Sequence, residues 1–124
     1  MKEAESNPTP TSEDQQRWLC SHLVQLFLDD EPKAGETVLL EDISAEGAGL
    51  AVESPYPKGL RLTMGTAGFQ ARIVVIDCQR RETDFRLETL FRDGFRWTPS
   101  AWKPDHLFRP PIPVRQAKGA AGAG

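Results

Sequence analysis

From Leu19 to Phe91 the apolar residues fall into six short runs, and turn chemistry separates most of them. Leu19 to Leu28 gives way to Asp29-Asp30-Glu31-Pro32-Lys33-Ala34-Gly35, and Thr37 to Ile43 gives way to Ser44-Ala45-Glu46-Gly47. Ala48 to Glu53 ends at Ser54-Pro55-Tyr56-Pro57-Lys58, and the run from Leu60 closes at Gly65 and Gly68. Within that run Leu60, Leu62 and Met64 alternate with Arg61 and Thr63, a period of two that only a strand converts into one apolar face. Phe69 to Cys78 carries the β-branched residues Ile73, Val74, Val75 and Ile76, and Asp84 to Phe91 again alternates. Six strands at this spacing predict an all-β fold, a small six-stranded antiparallel β-barrel.

No segment before Trp97 repeats with a helical period. Thr98-Pro99 pairs an N-cap residue with proline at the first helical position, so a short C-terminal helical turn is expected over 99 to 103, ended by Pro104. Trp97, Trp102, Leu107 and Phe108 are then expected to plug an open end of the barrel. Residues 1 to 16 contain no Leu, Ile, Val or Phe, so burial there cannot offset the entropy of ordering the chain. Pro110-Pro111-Ile112-Pro113 opens a second tail rich in proline, glycine and alanine. The expected organisation is a disordered segment at 1–16, a barrel domain at 17–108 and a flexible tail at 109–124.

Composition excludes several function classes. No apolar stretch approaches the roughly 20 residues of a membrane-spanning helix, and the N-terminal residues lack the apolar stretch of a secretory signal. No membrane insertion and a cytoplasmic location are expected. Residues 1 to 60 carry 4 Lys/Arg against 12 Asp/Glu, whereas residues 61 to 124 carry 11 against 6, so acid from one half meets arginine from the other within one fold. With a pI near 5.4 and no aromatic residues interleaved with a basic stripe, no DNA or RNA partner is expected. Two cysteines, Cys20 and Cys78, supply neither a disulfide framework nor a structural zinc site.

The catalytic inventory is poor. Neither a Gly-x-Ser-x-Gly elbow, nor a phosphate-binding Gly-Lys-Ser/Thr loop, nor His-Glu-x-x-His occurs. Cys20 and His22 are two apart, hence on the same face of a strand, but nothing nearby in sequence orients them as a nucleophile and base. A non-catalytic protein without cofactor or metal is the expectation.

The segment Glu41-Asp42-Ile43-Ser44-Ala45-Glu46-Gly47 carries the most chemistry. A carboxylate and a hydroxyl two apart at a strand end project from one side, and together they can accept from the N1–H and exocyclic amine of guanine. Gly47 is expected to supply a positive φ for the reversal into the next strand. The same residues also suit an Asx or Ser turn with no ligand.

The run Leu39 to Leu50, the proline-rich turn, Gly59-Leu60-Arg61-Leu62 and Ala71-Arg72-Ile73-Val74 resemble the PilZ domain family in motif, order and spacing, over about residues 17 to 95. The resemblance implies a six-stranded barrel that binds cyclic di-GMP through an Arg-x-x-x-Arg loop before the first strand and an Asp/Asn-x-Ser-x-x-Gly turn after the second. Asp42, Ser44 and Gly47 match the second motif in full. Of the first only Arg17 stands, with Glu13 four residues before it and Ser21 four after. The implied site is therefore Arg17, Asp42, Ser44 and Gly47, with cyclic di-GMP as a ligand of weakened affinity. The alternative is a degenerate barrel that has lost the nucleotide and docks another protein through Trp102 or Phe108.

Overall fold

The computed structural model describes residues 17–109, and the expectations for 1–16 and 110–124 lie outside them. Six strands follow in order: β1 (Trp18–Leu28), β2 (Glu31–Ile43), β3 (Gly47–Val52), β4 (Arg61–Thr66), β5 (Phe69–Arg80) and β6 (Phe85–Phe91). They close into a barrel in the order β1-β2-β3-β6-β5-β4, with every pair antiparallel. Closure pairs the strands that would otherwise be sheet edges.

Alternation sets the inside. Val24 and Leu26 of β1, Leu40 of β2, Leu50 of β3, Leu62 and Met64 of β4, Ile73 of β5 and Leu87 of β6 are all buried. Burying a side chain of this size stabilises by roughly 1.5–3 kcal/mol. Thr89 is a polar member of this interior, and its hydroxyl is paired there, donating to the Ala48 carbonyl at 2.9 Å.

β2 begins six residues earlier than the turn composition suggests. The reversal is confined to Asp29-Asp30, and Leu28 already pairs with Glu31. Pro32 is tolerated because β3 pairs with β2 only from Leu39 onward, leaving the other side of this stretch without a ladder to break.

The chain after β6 folds back under the end of the barrel where β1 begins. Trp97 is buried, packs edge-on against Trp18, and donates its indole N–H to the Trp102 carbonyl at 2.8 Å. Trp102 stacks on Phe69 with ring centroids 4.4 Å apart, and Phe95 packs on both Phe69 and Phe91. Leu107 packs against the core from its edge, so three of the four expected plug residues serve that purpose. Phe108 instead forms a backbone bridge to Leu19 and leaves its ring half exposed.

The expected helical turn at 99 to 103 does not form. Ala101 N–H closes a single turn onto the Thr98 carbonyl, with the Thr98 hydroxyl 3.3 Å from the same nitrogen. The following backbone groups go to the barrel: the Trp102 carbonyl to Trp97, the Asp105 N–H to His22, and the Asp105 carbonyl to Ser21 N–H. Groups committed in this way cannot extend a helical ladder.

Candidate ligand-binding face

A β-bulge builds the site. Leu40 and Ile43 are both fully buried, so strict alternation would turn Asp42 inward. The register of β2 against β3 slips between Leu40 and Asp42, which makes Glu41 the extra residue. Glu41 and Asp42 consequently both meet the arginines on the outer face.

Asp42 is the centre of an ion network. Its Oδ1 accepts from Arg17 Nη1 at 2.7 Å and Arg86 Nη2 at 3.3 Å, and its Oδ2 accepts from Arg86 Nη1 at 2.8 Å. Arg17 and Arg86 also converge on Glu88, while Glu41 accepts from Arg86 and from both Nη atoms of Arg81. Arg81 closes the set with a two-point contact to Asp84. Hydrogen bonding to Asp42, against an opposing contribution from burial, holds the Arg86 pKa above its ordinary value. The Arg81 hydrogen bond is the largest influence on Asp84 and holds its carboxyl below the usual range. Three guanidiniums thus face four carboxylates.

Ser44 is turned into the hairpin. It is buried, its Oγ accepts from the N–H groups of Glu46 and Gly47 at 3.3 Å, and its own N–H donates to the Gly47 carbonyl at 2.8 Å. Its hydroxyl stabilises the reversal into β3, as the turn reading expects.

Gly47 requires a correction. Positive φ is confined to Gly59, Gly68, Gly94, Asp93 and His106 among the described residues, so the reversal does not use Gly47 for that purpose. The physical reason for glycine is proximity: a Cβ there would lie 1.9 Å from the Thr89 carbonyl oxygen of β6. Gly49 has a related role on the outer face, where a Cβ would stand 2.4 Å from Arg86 Nη2 and 2.6 Å from Asp42 Oδ1. The bare backbone of β3 is the floor on which the Asp42–Arg86 pair rests.

The four expected site residues therefore gather at one corner. Arg17 and Asp42, 25 positions apart, are in contact, and the Ser44–Gly47 turn follows directly. Arg86, Glu88, Arg81, Glu41 and Gly49 belong to the same face but carry no motif. The alternation of Arg86 and Glu88 marks them as outward, yet only the barrel order, with β6 beside β3, brings them to Asp42. A shallow groove lined by Gln25, Phe27, Thr66, Phe69 and Gln70 contains none of the expected residues.

Cys20 and His22, two residues apart on β1, are each engaged by other groups. Burial, with the nearby charge of Asp42, pushes the Cys20 thiol up to about 12, and its Sγ faces the Leu40 carbonyl at 3.7 Å. His22 Nδ1 accepts the Asp105 N–H at 3.0 Å, and its ring packs edge-on against Trp102. Among the described residues no helix is long and apolar enough to cross a membrane. Comparison of the chain with protein-family models, curated proteins and solved structures finds no match.

Proposed function

We propose that the chain is a non-catalytic, PilZ-like module of bacterial cytoplasmic signalling that takes cyclic di-GMP as a weak ligand on the face bearing Arg17, Asp42 and the Ser44–Gly47 turn. The observation that carries this reading is the meeting of Arg17 and Asp42 at 2.7 Å beside that turn. A guanidinium and a carboxylate together offer a phosphate contact and an acceptor for a guanine edge. Weak affinity follows from the same geometry. Arg17 already donates to two carboxylates, so a phosphate must compete with Asp42 and Glu88 for it. Ser44 acts through the turn it stabilises, because its hydroxyl is engaged there.

A second reading, docking of an unidentified protein without the nucleotide, is favoured by Leu19, Leu23 and Phe108. These side chains are 44%, 63% and 53% exposed, and Leu19 and Phe108 are joined by a backbone bridge. Calorimetric titration with cyclic di-GMP separates the two. The first reading expects saturable binding with a Kd of about 10 µM or weaker, reduced roughly tenfold to a hundredfold in Arg17→Ala. No heat at millimolar ligand refutes it and leaves the docking reading.

A further inference from the structure

We propose that Arg109 is the second cationic anchor of this face, so that Arg17 and Arg109 grip the phosphates of the nucleotide from either side of Trp18. The proposal rests on the cyclic di-GMP reading above. It begins from charge. The guanidiniums of Arg17, Arg81 and Arg86 are all engaged by Glu41, Asp42, Asp84 and Glu88, and this set carries one more negative charge than positive. A dianion meeting only that set would be repelled and would have to break an existing ion pair for each contact.

Arg109 meets neither obstacle. Leu19 and Phe108 exchange both backbone hydrogen bonds, each 2.7 Å, and this antiparallel bridge sets the next residue, Arg109, across from Trp18. The Arg109 guanidinium carbon lies 5.5 Å from the centroid of the Trp18 ring, a cation–π contact that orders the side chain while leaving its N–H donors open to another group. Arg109 is exposed and has no carboxylate partner among the described residues.

Its position relates directly to the motif. Trp18 follows Arg17 in sequence and pairs with Ile43, the residue between Asp42 and Ser44. The Trp18 ring is braced by Trp97, whose backbone N–H donates to the Ala45 carbonyl inside the motif turn at 3.1 Å. The indole is thus a fixed platform tied to the turn, and Arg109 is laid across it. An arginine so ordered loses less side-chain freedom when it meets a phosphate.

The test is calorimetric titration of cyclic di-GMP into the full chain and four variants, Arg17→Ala, Arg109→Ala, Arg109→Lys and Arg61→Ala. Arg61 is exposed and starts β4 at the end of that strand away from the aromatic plug, so its loss controls for net charge alone. Arg109→Ala is expected to weaken binding about tenfold or more. Arg109→Lys keeps the charge without the planar fork and should fall between it and the wild type, with Arg61→Ala within about twofold of wild type. Thermal unfolding of Arg109→Ala within a few degrees of wild type shows that the loss is at the ligand. Wild-type binding that survives Arg109→Ala but falls in Arg17→Ala overturns the anchor and leaves the cyclic di-GMP reading standing. Equal weakening by Arg61→Ala also overturns the anchor, because the effect is then one of overall charge. Silence of the wild type at millimolar ligand overturns both.

Discussion

Replacing Gly47 by alanine tests the packing argument for the motif glycine. The new Cβ would sit 1.9 Å from the Thr89 carbonyl oxygen, 2.9 Å from its carbon and 3.0 Å from the Leu90 Cα, all backbone atoms of β6. No rotamer change relieves contact with backbone, so β3 and β6 must part by more than 1 Å at a pair whose normal spacing is about 4.8 Å. Overpacking of this kind costs roughly 1–3 kcal/mol. Separating the strands also strains the adjoining bonds, among them the Phe91 N–H to Glu46 carbonyl at 2.8 Å. Each such bond is worth roughly 1 kcal/mol net, and the expected total is about 4 kcal/mol. Two other glycines calibrate it. At Gly49 the obstructing atoms belong to the ends of Arg86 and Asp42, which can move, so alanine there should cost about 1–2 kcal/mol. At Gly65 the nearest atom is 3.5 Å away in ordinary contact, and alanine should be neutral or stabilise by up to about 1 kcal/mol through the unfolded chain. Urea and thermal unfolding followed by circular dichroism would rank the three. About 4–8 °C of Tm per kcal/mol makes the Gly47 effect unmistakable in a domain this size. A Gly47→Ala protein within 1 kcal/mol of wild type would refute the close-approach argument.

Asp42→Ala should destabilise by about 2 kcal/mol, because Arg17 and Arg86 lose a nearly buried partner, whereas Arg72→Ala, which breaks an exposed pair with Asp93, should cost less than about 0.5 kcal/mol in the same unfolding assay. Acid should destabilise the fold through Asp29 and Asp84. Burial pushes the Asp29 carboxyl up, but hydrogen bonds from Arg92 and Thr63 with the charges of Arg92 and Arg72 outweigh it, and Arg81 lowers Asp84. Folded carboxyls titrating below their unfolded value of about 3.9 give stability that is present above that pH and lost as pH falls through the lowered values. A urea midpoint unchanged between pH 5 and pH 2 would contradict this. Alkylation of Cys20 by iodoacetamide at pH 8 should be slower than that of a free thiol by tenfold or more, as its raised pKa and half-buried position require; mass spectrometry of the labelled peptide reads the rate.

The strands were legible because interior positions mostly recur at every second residue, as at Leu62 and Met64 or Ile73 and Val75, and because glycine and proline mark most turns. The start of β2 was hidden since Pro32 and Gly35 look like turn residues until the pairing of Leu28 with Glu31 confines the reversal to two positions. The candidate site was legible at Arg17, Asp42, Ser44 and Gly47, whose types and order carry a motif. Its other half was not. Arg86 reaches Asp42 only because β6 lies beside β3 and a bulge at Glu41 turns two successive acids outward, and both facts are properties of strand pairing. Gly47 carried a similar ambiguity, for a glycine needed to let a neighbouring backbone approach reads in sequence like one needed for its φ.

The most direct measurement is a nitrogen–proton correlation spectrum of the labelled full chain during titration with cyclic di-GMP. Progressive shifts at the amides of 17–19, 42–47 and 108–109, with little change along the outer side of β4, are expected. Shifts confined to the groove of Gln25, Phe69 and Gln70, or a spectrum unmoved at millimolar nucleotide, would contradict a ligand face at Arg17 and Asp42.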